Sequence, residues 1–162
     1  MSKSIGILSA SALAVGLLAG AASQASAEDN FNFRMASGHA PQTGYVRMMS
    51  EQFVPRVKAK LEALGHTASF NEAYGGSLVK VAETLEGVKD GIVDIGGFCF
   101  CFEPSNLFLN VYPLWMPFDA QNAVLGTKVA RAIYDKVPHM AGVFEEKYNQ
   151  KLLGLFGFDN YG

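Results

Sequence analysis

The chain has 162 residues, with 13 basic and 15 acidic side chains, a formal net charge of −2 and 49% hydrophobic residues. That length holds one domain with a core of its own, and the absence of any basic cluster excludes nucleic acid as a partner.

The first residues follow the grammar of a secretory signal peptide. Lys3 is the positive start, Ile5 to Ala22 is an uncharged apolar or small-residue run, and Ala25-Ser26-Ala27 is an A-x-A cleavage site followed by Glu28 and Asp29. Read instead as a membrane anchor, the run is near the lower limit for crossing ~30 Å of hydrocarbon and is rich in Ala, Ser and Gly. Cleavage after Ala27 removes Lys3 and leaves residues 28–162, with 12 basic and 15 acidic side chains and a net charge of −3. No second run reaches spanning length, so the mature chain is expected not to span a membrane.

Beyond the leader, Phe31 to Ser37 reads as a strand, ending in the polar turn Gly38 to Gly44. A helix is expected from Tyr45 to Leu64, with Met49, Phe53, Val57, Leu61 and Leu64 on one face and a kink or late start at Pro55. Gly65 then takes the C′ position. Thr67 to Ala73 reads as a second strand. Leu78, Val81, Ala82, Leu85 and Val88 give helical spacing behind Ser77 as N-cap, and Gly91 ends that helix. Ile92 to Phe98 has the near-continuous apolar character of a strand buried on both faces. After an irregular aromatic segment, helices are expected near Gln121 to Lys136 and Met140 to Tyr148, divided by Pro138, with a last strand at Lys151 to Phe158. This order points to an α/β domain with a mainly parallel sheet flanked by helices. The last apolar strand falls so close to Gly162 that the sequence reads as part of a longer protein.

In open α/β sheets ligands bind beyond the carboxyl ends of the strands. Three segments are expected there: the turn bearing His39, the segment Tyr74-Gly75-Gly76-Ser77, and Phe98 to Pro104. Helix N–H groups behind Gly75 and Gly76 favour an anion, and a plain loop capped by Ser77 is the bland alternative. In an extended segment Phe98, Phe100 and Phe102 share one face and Cys99 and Cys101 the other. That face is either core packing or the wall of an apolar pocket with Glu103 at its rim. The same two readings apply to Phe118. On a strand the two cysteines lie about 6.6 Å apart, at the upper edge of disulfide geometry, so buried free thiols are expected.

His39, His66 and His139 lack ligand spacing, and no nucleophile elbow, phosphate loop or dinucleotide fingerprint occurs. Neither metal, cofactor nor catalytic triad is therefore expected.

Phe33-Arg34-Met35-Ala36-Ser37-Gly38-His39, Glu72-Ala73-Tyr74-Gly75-Gly76-Ser77-Leu78, Glu83 to Gly96, Phe102-Glu103-Pro104-Ser105 and Pro113 to Phe118 occur in an order that resembles the solute-binding proteins of TRAP-type (tripartite ATP-independent periplasmic) transporters, the family of dicarboxylate receptors. The resemblance runs from about Phe31 to the end. It implies a periplasmic-binding-protein-like fold of two lobes in a Gram-negative periplasm. Residues 28–158 would be the first lobe, 159–162 the start of the hinge, and the second lobe would lie beyond. The implied function is capture of a small organic, carboxylate-bearing solute and its delivery to a TRAP-type membrane permease, without enzymatic activity. The family's carboxylate-clamping arginine belongs to the second lobe, so Arg34, Arg47, Arg56 and Arg131 are not cast in that role. The ligand-binding residues implied here are His39, Tyr74, Gly75, Gly76, Phe98, Phe100, Glu103 and Phe118. A carboxylate at Glu103 facing the ligand would favour a cationic or hydroxylated group there. Sensor domains of signalling receptors share this binding fold and are the alternative, with a secreted enzyme behind them.

Overall fold

The computed structural model describes residues 28–115 and 122–156. The expected signal peptide, residues 1–27, lies outside the described residues. Strand β1 (Asn30–Ala36) is central, with β2 (Thr67–Ala73) on one side and β3 (Ile95–Gly96) on the other, all parallel. β1 and β2 pair over seven residues, from Asn30 opposite Thr67 to Ala36 opposite Ala73. The fold is thus α/β, a small parallel sheet flanked by helices.

Successive strand residues point to opposite faces, and β1 shows the consequence at its last two positions. Met35 packs with Tyr45, Val46, Met49 and Val54 of the first helical run, whereas Ala36 packs with Val79 and Val93 on the other face. The sheet is therefore covered on both sides, and its strand order reverses direction around β1.

The expected helix from Tyr45 is found as α1 (Gly44–Met48), a π-turn (Met49–Phe53) and α2 (Val54–Glu62). Pro55 lacks an N–H for the carbonyl four residues back, and the wider π-turn immediately before it adjusts the register. Leu64 was expected on the apolar face but is exposed, because the helix has already ended and Gly65, at φ +81°, turns the chain back. The N–H groups of Gly65 and His66 cap that end on Glu62 and Leu61.

The next helix starts later than Ser77. Val81–Glu83 is a 3₁₀ turn leading into α3 (Thr84–Lys89), and the Lys80 N–H donates to the Glu83 carboxylate at 3.1 Å. Leu78 faces solvent while its neighbour Val79 is buried, which removes the regular spacing assumed from Leu78. Gly91, at φ +69°, ends α3 as expected.

Strand β3 is much shorter than Ile92 to Phe98. Asp94 N–H donates to Arg34 carbonyl and Gly97 N–H to Ala36 carbonyl, so pairing spans only the stretch around Ile95–Gly96. Ile92 is exposed and Phe98 has already left the ladder. The Asp94 carboxylate accepts from the Arg34 side chain at 2.7 and 3.1 Å and from the Arg34 N–H at 2.7 Å, which fixes the register of this short strand.

Phe100–Phe102 forms a 3₁₀ turn, so the three phenylalanines do not line one strand face. Cys99 and Cys101 are joined in a disulfide and are not free thiols. Curling brings their Cα atoms to 5.2 Å, well inside the separation of an extended strand.

Helix α4 (Ala123–Lys136) is capped by Asn122, whose side-chain oxygen accepts from Leu125 N–H at 3.0 Å, and α5 (His139–Tyr148) follows Pro138. A second core joins Leu85 of α3 to Leu107 and to Val143, Phe144 and Tyr148 of α5. Residues 151–156 run without regular structure, correcting the expected final strand, whose remaining residues are outside those described. Leu152 packs on the second core but Leu153 is 62% exposed, and neither residue pairs with the sheet. Among the described residues no helix is long and apolar enough to cross a membrane.

Candidate functional site

Because the three strands are parallel, their carboxyl ends share one edge of the sheet. β1 delivers Ser37 and His39, β2 delivers Tyr74, Gly75 and Gly76, and β3 leads through Gly97 to the disulfide turn. The backbone ties these ends together. Gly75 N–H donates to His39 carbonyl at 2.9 Å and Gly76 N–H to Ser37 carbonyl at 3.4 Å. Both glycines sit at positive φ, +70° and +78°, a conformation that side chains with a Cβ rarely adopt. A Cβ at Gly38 would overlap the backbone of Val81, so glycine there lets the first turn press against the start of α3.

The side chains at this edge form a hydrogen-bonded chain. Ser37, fully buried, has its hydroxyl 3.2 Å from the Tyr45 hydroxyl and accepts the His39 N–H at 3.2 Å. The Tyr45 hydroxyl in turn lies 2.7 Å from His39 Nδ1. The His39 ring packs edge-on to Tyr45 and lies 5.4 Å, centre to centre, from Phe102. Lys80 brings a cation to the glycine turn, its Nζ donating to Gly76 carbonyl at 3.0 Å.

Tyr74 sits on the other side of the first turn, beside a groove of about 350 Å³ formed with Pro41, Gln42, Val46, Arg47, Ser50 and Glu51. Its hydroxyl donates to Glu72 at 2.9 Å. Burial raises the Tyr74 pKa, and the Glu72 carboxylate raises it further, so this phenol is a neutral hydrogen-bonding group.

The remaining expected residues divide. Glu103 is not at an open rim: it is 6% exposed and accepts from Asn106 Nδ2 at 2.8 Å. Phe98 and Phe100 pack on the second core, Phe100 against Phe98 and Phe144 with ring centres 5.3 and 5.4 Å apart. Phe118 lies outside the described residues. The structure therefore ties His39 to Gly75 and Gly76 while Tyr74 lines a separate groove. Beside His39 it places Phe102, one of the expected pocket-wall rings, and it adds Ser37, Tyr45 and Lys80, which the sequence does not mark as site residues. Ser37 carried a faint signal, as a hydroxyl at the end of an otherwise apolar strand terminus.

Among the described residues, no group of three or more His, Cys, Asp or Glu side chains is placed to hold a metal ion. Comparison of the chain with protein-family models, curated proteins and solved structures gives no match.

Proposed function

We propose that this chain is the first lobe of a periplasmic solute-binding receptor, which captures a small organic acid or related polar solute and passes it to a TRAP-type membrane permease. The observation that carries the reading is the Ser37–Tyr45–His39 chain at the carboxyl edge of a parallel sheet, beside the Gly75–Gly76 turn. Such an edge, at a reversal of strand order, is where open α/β sheets take ligands. The groups assembled there suit recognition: a hydroxyl and imidazole pair for polar atoms, the Phe102 ring for apolar ones, and Lys80 for negative charge. Ser37 is fully buried, so its hydroxyl orients neighbours and does not attack a substrate. The ordered motifs from Phe33 to Phe118 support the transport class.

The test is calorimetric titration of the complete gene product, purified from the periplasm, with short hydroxy-, keto- and dicarboxylates. Its mature N-terminus is expected at Glu28 by mass spectrometry. Binding of one of these acids, weakened about tenfold or more in His39→Ala by loss of a hydrogen bond to a charged group, supports the reading. Retention of the chain in the cytoplasm, or heat-silent titrations with every acid, overturns it.

A further inference from the structure

We propose that Cys99–Cys101 is a thiol–disulfide exchange site whose substrates are thiols, a role beyond solute capture and independent of it. Three observations carry it. The bridge closes over a single residue, so it removes little chain entropy from the unfolded state and adds little to stability. A structural staple is therefore a poor account of it. Both cysteines are half-buried, not sealed in a core, and they lie on a turn whose next residue, Phe102, is exposed beside His39. Finally, the two sulfurs are not equivalent. Cys101 N–H donates to Cys99 Sγ at 3.3 Å, and a hydrogen bond to sulfur favours its thiolate form.

That asymmetry sets the direction of exchange, because the sulfur that leaves more readily is the better stabilised thiolate. An incoming thiolate attacks Cys101 Sγ. A new sulfur–sulfur bond forms to Cys101, the Cys99–Cys101 bond breaks, and its electron pair stays on Cys99 as thiolate beneath the Cys101 N–H. A second thiolate then attacks the incoming sulfur of this mixed disulfide and displaces Cys101. In sum, two thiols are oxidised to one disulfide, the protein bridge is reduced by two electrons to a dithiol, and the thiol protons pass to Cys99, Cys101 or solvent according to pH. The reverse sequence reduces a disulfide.

The experiment titrates the full oxidised chain with glutathione buffers of graded ratio, quenches with iodoacetamide and counts added groups by mass. The expected result is no alkylation without reductant and gain of two groups in reduced glutathione, with an unchanged circular dichroism spectrum. Two groups added without any reductant would show that no bridge exists, and a bridge that yields only in denaturant would show a buried structural link. Either overturns the proposal. Single variants test the asymmetry. One hydrogen bond to a charged sulfur raises the thiolate fraction about tenfold, and the accompanying fall in nucleophilicity returns about a factor of three. Cys99 in Cys101→Ser, which keeps the backbone donor, is thus expected to alkylate about threefold faster at neutral pH than Cys101 in Cys99→Ser. Equal rates or the opposite order remove Cys99 as leaving group.

Discussion

Replacing Tyr45 by phenylalanine isolates the hydroxyl at the centre of the candidate site. The ring is buried among Met35, Val46, Met49 and Val54, and phenylalanine preserves that packing. Two bonds are lost, to Ser37 Oγ at 3.2 Å and to His39 Nδ1 at 2.7 Å. They differ in what replaces them. His39 is half-buried, so water can reach its nitrogen, whereas Ser37 is fully buried and its hydroxyl cannot be rehydrated. A buried polar group left without a partner costs about 1–3 kcal/mol, and Ser37 keeps the His39 N–H, which places the cost near the lower half, about 1.5 kcal/mol. For a chain of this size that lowers the melting temperature by roughly 3–6 °C. Urea unfolding followed by circular dichroism reads the free energy directly. In the cycle with Ser37→Ala the double variant is expected to lose less than the two singles together, because neither partner is then orphaned. A Tyr45→Phe variant within about 0.3 kcal/mol of the parent, or strictly additive singles, would refute the reasoning.

Three further outcomes follow from other contacts. Leu85→Ala empties a fully buried position between α3 and α5 and is expected to cost about 2–5 kcal/mol in the same urea experiment, with a smaller loss pointing to collapse of the site. The Arg34 guanidinium and N–H hold the Asp94 carboxyl below its ordinary value, so its contribution is present above about pH 4 and lost as pH falls through the lower folded value. Asp94→Asn is therefore expected to flatten the acid limb of stability by about 1 kcal/mol or less, since the pair is partly solvated, and parallel limbs would refute the link. Burial pushes the Tyr134 hydroxyl up to about 12, against the opposing bond from Asn110. Its neutral form thus stabilises the fold fully below about pH 10, and that stability is lost as pH rises toward the folded value. A Tyr134→Phe variant should show a shallower alkaline slope, measured alongside phenolate absorbance, with the remainder carried by Tyr74 and Tyr148, and an unchanged slope would refute the assignment.

Legibility in the sequence tracked the range of the interaction that decides each element. β1, β2, α5 and the end of the first helix are set by local periodicity and by Gly65, and they stand within a residue or two of where the pattern puts them. β3 is shorter than its apolar run because apolar composition fixes neither burial nor pairing: Ile92 is exposed and Val93 is buried. Asp94 bonds back to Arg34 and the chain leaves the ladder at Gly97. The disulfide is not legible because the run reads as extended, whereas the segment curls into a 3₁₀ turn. At the site, the glycine turn and His39 were legible as punctuation after strands. Tyr45 and Ser37 were not, because their meeting depends on how α1 leaves the turn, and no spacing rule encodes that.

The π-turn at Met49–Phe53 makes the first helical run a joint between two out-of-phase apolar stripes. Tyr45, Val46 and Met49 belong to the first, Val54 to the second, and all four reach one core because the wide turn takes up the offset. Each residue of an α-helix advances the azimuth by about 100°. Wound as regular α-helix at its present length, the run would carry Val54 about 140° from Met49 and away from Met35. An in-frame deletion of one codon within the turn would instead restore regular winding and leave Val54 about 40° from Met49, still facing the core. Loss of one residue is therefore tolerable within these five positions, whereas gain of one would rotate Val54 by about a further 100° and take it off the core.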